Sequence, residues 1–112
     1  MLSTKNRFHG YNSLRKVYGK SQSARGNMIS LKFSKRDKNR PYRVAVVVGR
    51  KVHKSAVKRN RIRRRIFETI RTSNTIPEST DLIFTVYSDK VLDVSMTELK
   101  TMIEDLLRKT QA

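Results

Sequence analysis

The sequence predicts an α+β fold, a small mixed-sheet α/β sandwich in the order α-β-β(-β)-α-β-α with helices packed on the sheet. Three observations predict it. Apolar Ile29, Leu31 and Phe33 alternate with Ser30, Lys32 and Ser34. Ile62, Ile66 and Ile70 recur four residues apart. Leu99, Met102, Ile103, Leu106 and Leu107 make a helical stripe near the end. A period of two belongs to a half-buried strand, and one of about 3.6 to an amphipathic helix. The 112 residues suit one domain, 1–112, with a modest core. No repeat, low-complexity run or Pro/Gly-rich linker divides them.

In order, Asn12 or Ser13 can cap a short helix that carries Leu14, Val17 and Tyr18 and stops at Gly19. Asn27–Lys35 is the first clear strand. The polar run Lys35–Pro41 reads as a hairpin-like connection because it ends in proline. Tyr42–Val48 is β-branched and almost wholly apolar in its second half, which suits a central strand buried on both faces. Gly49 releases the chain into a basic segment, and Ser55–Arg71 reads as a helix. Thr72–Thr80 is a polar loop containing Pro77, and Asp81–Tyr87 is another strand. Ser95, with Glu98 three residues on, makes a capping box for the last helix. The Leu/Met stripe of that helix is most simply core.

Charge narrows the function. The formal net charge is +17. Residues 1–76 carry 22 Lys and Arg against only Asp37 and Glu68, whereas residues 77–112 carry four cations against seven acids. Such a density repels itself in a compact fold and calls for a polyanion. Nucleic acid leads, with an acidic membrane surface second. The chain has no cysteine, which excludes a disulfide scaffold and thiolate chemistry and fits a cytoplasmic setting. No apolar run reaches the roughly 18 residues of a membrane span. Residues 1–7 do not read as a secretory signal.

Residues 50–65 carry the strongest signal, with nine of sixteen Lys or Arg and no acid. A solvated helix face is usually balanced by acids three or four residues away. Here the first is Glu68. On a helix, Arg59 and Arg63 fall beside the Ile62–Ile66–Ile70 stripe, while Lys58, Arg61, Arg64 and Arg65 cover the remainder. The leading turns are therefore expected to project beyond the sheet toward RNA; the competing reading has Arg59 and Arg63 bury their stems. Arginine suits the task because its planar fork binds phosphate bidentately and stacks on bases. Asn60 either contacts a sugar or base edge or satisfies nearby backbone.

The run Ala56-Val57-Lys58-Arg59-Asn60-Arg61-Ile62-Arg63-Arg64 resembles the signature of the bacterial ribonuclease P protein family, with its Arg-Asn-Arg core. Asn6-Arg7 before the first helix and Lys16-Val17-Tyr18 within it are also similar, and the resemblance covers nearly the whole chain. It implies a fold like the second domain of ribosomal protein S5, with a left-handed βαβ crossover. It also implies a protein subunit that binds a catalytic RNA and the 5′ leader of precursor tRNA. The holoenzyme is then an endonuclease that requires Mg2+ and leaves a 5′-phosphomonoester on the mature tRNA. Lys54, Lys58, Arg59, Asn60, Arg61, Arg63, Arg64 and Arg65 would face the catalytic RNA. Leu14, Tyr18, Leu31, Arg50 and Lys51 would line the leader groove between the first helix and the sheet. Leu14 and Leu31 stand where many members carry aromatics, Gly49-Arg50-Lys51 replaces the more usual Ser-Lys-Lys, and Phe67 replaces a common basic residue.

The residues themselves point away from a protein-borne catalyst. A metal nuclease needs clustered carboxylates, which the basic part lacks. A metal-free ribonuclease wants an acid and a base, often two histidines. His9 and His53 are the only ones, and His53 reads as an RNA contact or a solvated loop residue. No catalytic residue, protein-bound metal, membrane or obligate protein partner is expected. A structural ribosomal RNA-binding protein is the alternative, since size and charge would look the same. A helix-turn-helix is not supported, because no second helix adjoins the basic one.

Overall fold

The computed structural model describes residues 22–36, 39–73 and 76–109. The short helix expected around Leu14 and Tyr18 lies outside them. Strands β1 (Gln22–Arg25), β2 (Ile29–Lys35) and β3 (Arg43–Val48) come first. Helix α1 (Ala56–Arg71), strand β4 (Thr80–Val86), a 3₁₀ turn (Asp89–Leu92) and helix α2 (Met96–Lys109) follow. The sheet runs β1-β2-β4-β3, antiparallel in its first two pairings and parallel between β4 and β3. It is the mixed sheet that the sequence predicts, and β3-α1-β4 is its one parallel crossover among the described residues.

Two expectations about the strands are corrected. Tyr42–Val48 is not central: β3 is an edge strand whose burial alternates, with Val44, Val46 and Val48 inward and Arg43, Ala45 and Val47 half-exposed. The central strand is β4, where Leu82, Ile83 and Phe84 have no exposed surface. Nor does Lys35–Pro41 join paired strands, because β4 lies between β2 and β3. That connection is laced to the segment entering β4. The Arg36 amide donates to the Ser79 carbonyl at 2.6 Å, and Ser79 Oγ donates to the Arg40 carbonyl at 3.0 Å. The optional third strand exists as β1, hairpinned onto β2. Gly26 is required at its turn: its amide donates to the Ile29 carbonyl at 3.0 Å, and a Cβ there would stand 2.7 Å from that oxygen.

Alternation then sorts the sheet into two faces. Ile29 and Leu31 of β2, Leu82, Phe84 and Val86 of β4, and Val44, Val46 and Val48 of β3 share one core with the helices. Helix α1 brings Ile62, Ile66 and Ile70 to it, and α2 brings Leu99, Ile103, Leu106 and Leu107. Each fully buried side chain of this size stabilises the fold by about 1.5–3 kcal/mol relative to exposure. The cap expected at Ser95 forms, and Ser55, read from the sequence as the first helical residue, is the cap of α1. Ser55 Oγ accepts the Lys58 amide at 3.3 Å, and Ser95 Oγ accepts the Glu98 amide at 3.1 Å.

The opposite face carries Ser30, Lys32 and Ser34 of β2 beside Asp81, Ile83 and Thr85 of β4. At one end of it the nearly buried Asp81 receives Arg43, with Nε at 2.7 Å and Nη2 at 2.9 Å, while Arg36 Nε lies at 3.6 Å. The hydrogen bond to Asp81 holds the Arg43 guanidinium above its usual pKa. Arg43 and Asp81 are also partners in the parallel register, so the ion pair fastens β3 to β4.

Candidate nucleic-acid interface

The basic segment sits where the parallel register places it. Val48 pairs with Val86, so the loop after β3 leaves the sheet beside Tyr87. Gly49–Ser55 is a tight, internally bonded turn. The Val52 amide donates to the Gly49 carbonyl at 3.0 Å, and Val52 packs against the core. The Ser55 amide donates to His53 Nδ1 at 3.0 Å. Arg59 Nη1 donates to the His53 and Lys54 carbonyls, each at 2.8 Å. Arg50, Lys51 and Lys54 are left exposed on the outside of this turn.

Helix α1 divides its cations into two kinds. Val57, Asn60, Arg61 and Arg64 follow the spacing i, i+3, i+4, i+7, and all four are exposed. They make one ridge, with Val57 69% exposed among the charges. The other cations are partly covered. Arg59 folds back onto the loop carbonyls. Arg63 donates to Asn60 Oδ1. Arg65 reaches across to the Val91 and Val94 carbonyls and ties α1 to the 3₁₀ turn. Lys58 is half-exposed on the flank.

The expected projection of the leading turns is therefore confined to the first turn and one ridge. Ile62 has no exposed surface, so packing begins in the second turn. Arg59 and Arg63 each commit one guanidinium nitrogen within the protein and Arg65 commits two, because a stem beside a buried stripe brings the fork near acceptors. Asn60 Oδ1 accepts from the Arg63 side chain, and the residue stands exposed on the ridge.

Electrostatics favour an anion here. Among the described residues no cation of 50–65 is paired with a carboxylate, and the first turn of α1 contains no acid. The helix N-terminus adds its own partial positive charge. Glu68, the nearest acid, is bonded to Arg71 at 2.9 Å on its own helix. That hydrogen bond holds its carboxyl below the ordinary range. Phe67 lies partly buried against the core, so the basic ridge ends before it.

The residues expected along a leader groove separate. Arg50 and Lys51 are exposed beside the sheet end. Leu14 and Tyr18 lie outside the described residues. Leu31 is corrected: it has no exposed surface and packs on the helix side, so its side chain is inaccessible to any ligand. Its neighbours Ser30 and Lys32 face the other way. The alternation of β2 is plain in the sequence, but which of its two sides meets the helices is not.

Sequence reasoning also misses Tyr87. It is 58% exposed, and its hydroxyl shares a 2.8 Å hydrogen bond with Ser30 Oγ. A signal exists for it: an aromatic one step beyond the buried Val86 must point to the other face. No group of three or more His, Asp or Glu stands close enough to hold a metal ion among the described residues. No described helix is long and apolar enough to cross a membrane.

A family model described as Ribonuclease P matches residues 2–111. The chain is 42% identical over 67 residues to the ribonuclease P protein component of Pseudanabaena sp. (strain PCC 6903), covering 59% of this chain and 57% of that protein. With the component of Chloroflexus aurantiacus (strain ATCC 29366 / DSM 635 / J-10-fl) it shares 39% over 75 residues, covering 64% and 53%. The chain thus spans little more than half the length of these relatives. In fold it resembles the RNase P protein of Thermotoga maritima, with TM-score 0.80 at 20% identity over 92% of this chain and 96% of that one. The Staphylococcus aureus RNase P protein gives TM-score 0.79 at 19% identity over 94% of both chains.

Proposed function

Because this chain belongs to the ribonuclease P protein family, we propose that it is the protein subunit that binds the catalytic RNA and the 5′ leader of precursor tRNA, promoting removal of the leader. One observation carries the reading. Arg50, Lys51, Lys54, Arg61 and Arg64 stand exposed on one loop and one helix ridge, without a carboxylate partner among the described residues. Structured RNA supplies phosphates at a density that matches them. The ridge of α1, with Asn60 and Val57 between its arginines, takes the catalytic RNA. The sheet face away from the helices takes the leader, with Tyr87 and Lys32 replacing Leu31 beside Arg50 and Lys51, and buried Ser30 holding the Tyr87 hydroxyl.

The chain's own residues then do positioning work. Arginine forks and lysines neutralise the phosphates of two RNAs that would otherwise repel each other. Tyr87 offers a ring for an unpaired base, worth roughly 1–3 kcal/mol in single-strand sites. Among the described residues no group of three or more His, Asp or Glu could hold a divalent cation, and Asp81 is already engaged by Arg43 and Arg36. In this reading the Mg2+ of the holoenzyme acts with the RNA, and no step is routed through the protein. A substrate whose leader reaches that sheet face is preferred over the mature product, which has none.

The test is reconstitution with the cognate RNA at low magnesium. Added protein should raise cleavage of precursor tRNA steeply there and much less at high magnesium, while the protein alone cleaves nothing. Cleavage by the RNA that is indifferent to the protein at every magnesium concentration would defeat the proposal.

A further inference from the structure

We propose that His53 is a positioning residue for the RNA-binding surface: its imidazole Nδ1 holds the Ser55 amide and so fixes the turn that presents Arg50, Lys51 and Lys54. This role rests on the RNA reading of that surface and adds a residue that the reading does not need.

The turn from Gly49 to Ser55 carries three exposed cations that repel one another. Left to itself it would open. Its closure comes from bonds made inside the protein. Ser55 caps α1, and a capping residue's own amide has no partner in the helix. Here that amide finds His53 Nδ1 at 3.0 Å. The two carbonyls flanking it in the turn, of His53 and Lys54, are taken by Arg59 Nη1 at 2.8 Å. The turn is therefore organised before any phosphate arrives, which lowers the ordering cost of binding. An Nδ1 that accepts requires the imidazole proton on Nε2. The geometry is that of an Asx turn, in which a side chain accepts the amide two residues on.

Two residues of the basic segment thus serve as support. His53 and Arg59 shape the turn from within, and Arg50, Lys51 and Lys54 meet the RNA.

Chemistry supplies a graded test. Asn Oδ1 is bonded to Cγ as Nδ1 is, so H53N keeps the acceptor in place. Gln Oε1 lies one bond farther out. H53A, H53N and H53Q are compared by affinity for the cognate catalytic RNA and for leader-bearing precursor tRNA, and by hydrogen exchange of the Ser55 amide. R61A/R64A serves as the reference for the ridge. Alanine and glutamine should weaken binding roughly threefold to tenfold and release the Ser55 amide. Asparagine should restore both to near wild type. The comparison of H53N with H53Q holds even where alanine disturbs folding.

If H53A binds RNA as wild type does while R61A/R64A weakens it, the positioning role falls and the RNA reading stands. If the histidine variants weaken binding with Ser55 still protected, the imidazole touches RNA directly and the proposal is overturned. It is overturned too if glutamine restores as well as asparagine. If R61A/R64A changes nothing, the RNA reading itself falls and takes this role with it.

Discussion

Arg59 and Arg61 are two residues apart in one basic run, yet the fold gives them different work. Arg61 is exposed on the ridge, and Arg59 closes the loop. Replacing Arg61 and Arg64 by alanine should flatten the salt dependence of RNA binding by about 0.7–0.9 log units in slope for each phosphate left without its cation. Replacing Arg59 alone should weaken binding with little change in that slope, since what suffers is loop order. Binding titrations over a range of potassium concentrations separate the two. Tyr87 gives a second residue-level expectation. Y87A should lower affinity for leader-bearing tRNA by about 1–3 kcal/mol and leave mature tRNA nearly unaffected, whereas Y87F keeps the ring and should retain most of the preference. Equal weakening for both tRNAs would place Tyr87 outside the leader path. Residue identity in the basic run is fully legible in the sequence, but not how each guanidinium is used. That depends on which carbonyls lie within reach, and Arg65 finds those of Val91 and Val94, far along the chain.

At the scale of elements, helices are more legible than strands for a physical reason. A helix closes its hydrogen bonds locally, so Ser55 and Ser95 mark starts that the fold realises. A strand's partner is elsewhere in the chain. The Val-rich β3 reads as doubly buried, but its place at the sheet edge is decided by β4, which lies between it and β2. Polar Gln-Ser-Ala-Arg gives little sign of β1, whose pairing follows from the Gly26 turn. I66A should cost about 2–5 kcal/mol, because Ile66 is fully buried in the core that α1 shares with the sheet. D81N should cost about 2 kcal/mol by weakening a two-pronged bond to Arg43. Urea unfolding followed by circular dichroism measures both. A D81N protein as stable as wild type would show that the β3–β4 fastening contributes nothing net.

For the whole molecule, charge and scaffold are separated. The core lies between one sheet face and the two helices, while the exposed cations of the loop and ridge stand outside it. Substitutions of Arg50, Lys51, Lys54, Arg61 or Arg64 should therefore lower RNA affinity without lowering stability, and removing like charges should leave the melting temperature equal or higher. Differential scanning calorimetry in low salt checks this. A fall in melting temperature for the charge variants would mean that these side chains stabilise the fold directly. The polyanion requirement is legible from composition alone, and the family from the Arg-Asn-Arg run. The second face of the sheet is not, because Ser30, Lys32 and Tyr87 are scattered over two chain segments that only the register unites.

The place of β4 in the sheet has a consequence for biosynthesis. The strand that joins β2 to β3 is the last of the four to leave the ribosome. At about 5–20 residues per second, several seconds pass between the emergence of Val48 and that of Val86. Within that interval the arginine-rich stretch leaves too, so its helix emerges before the strand that completes the sheet on which it packs.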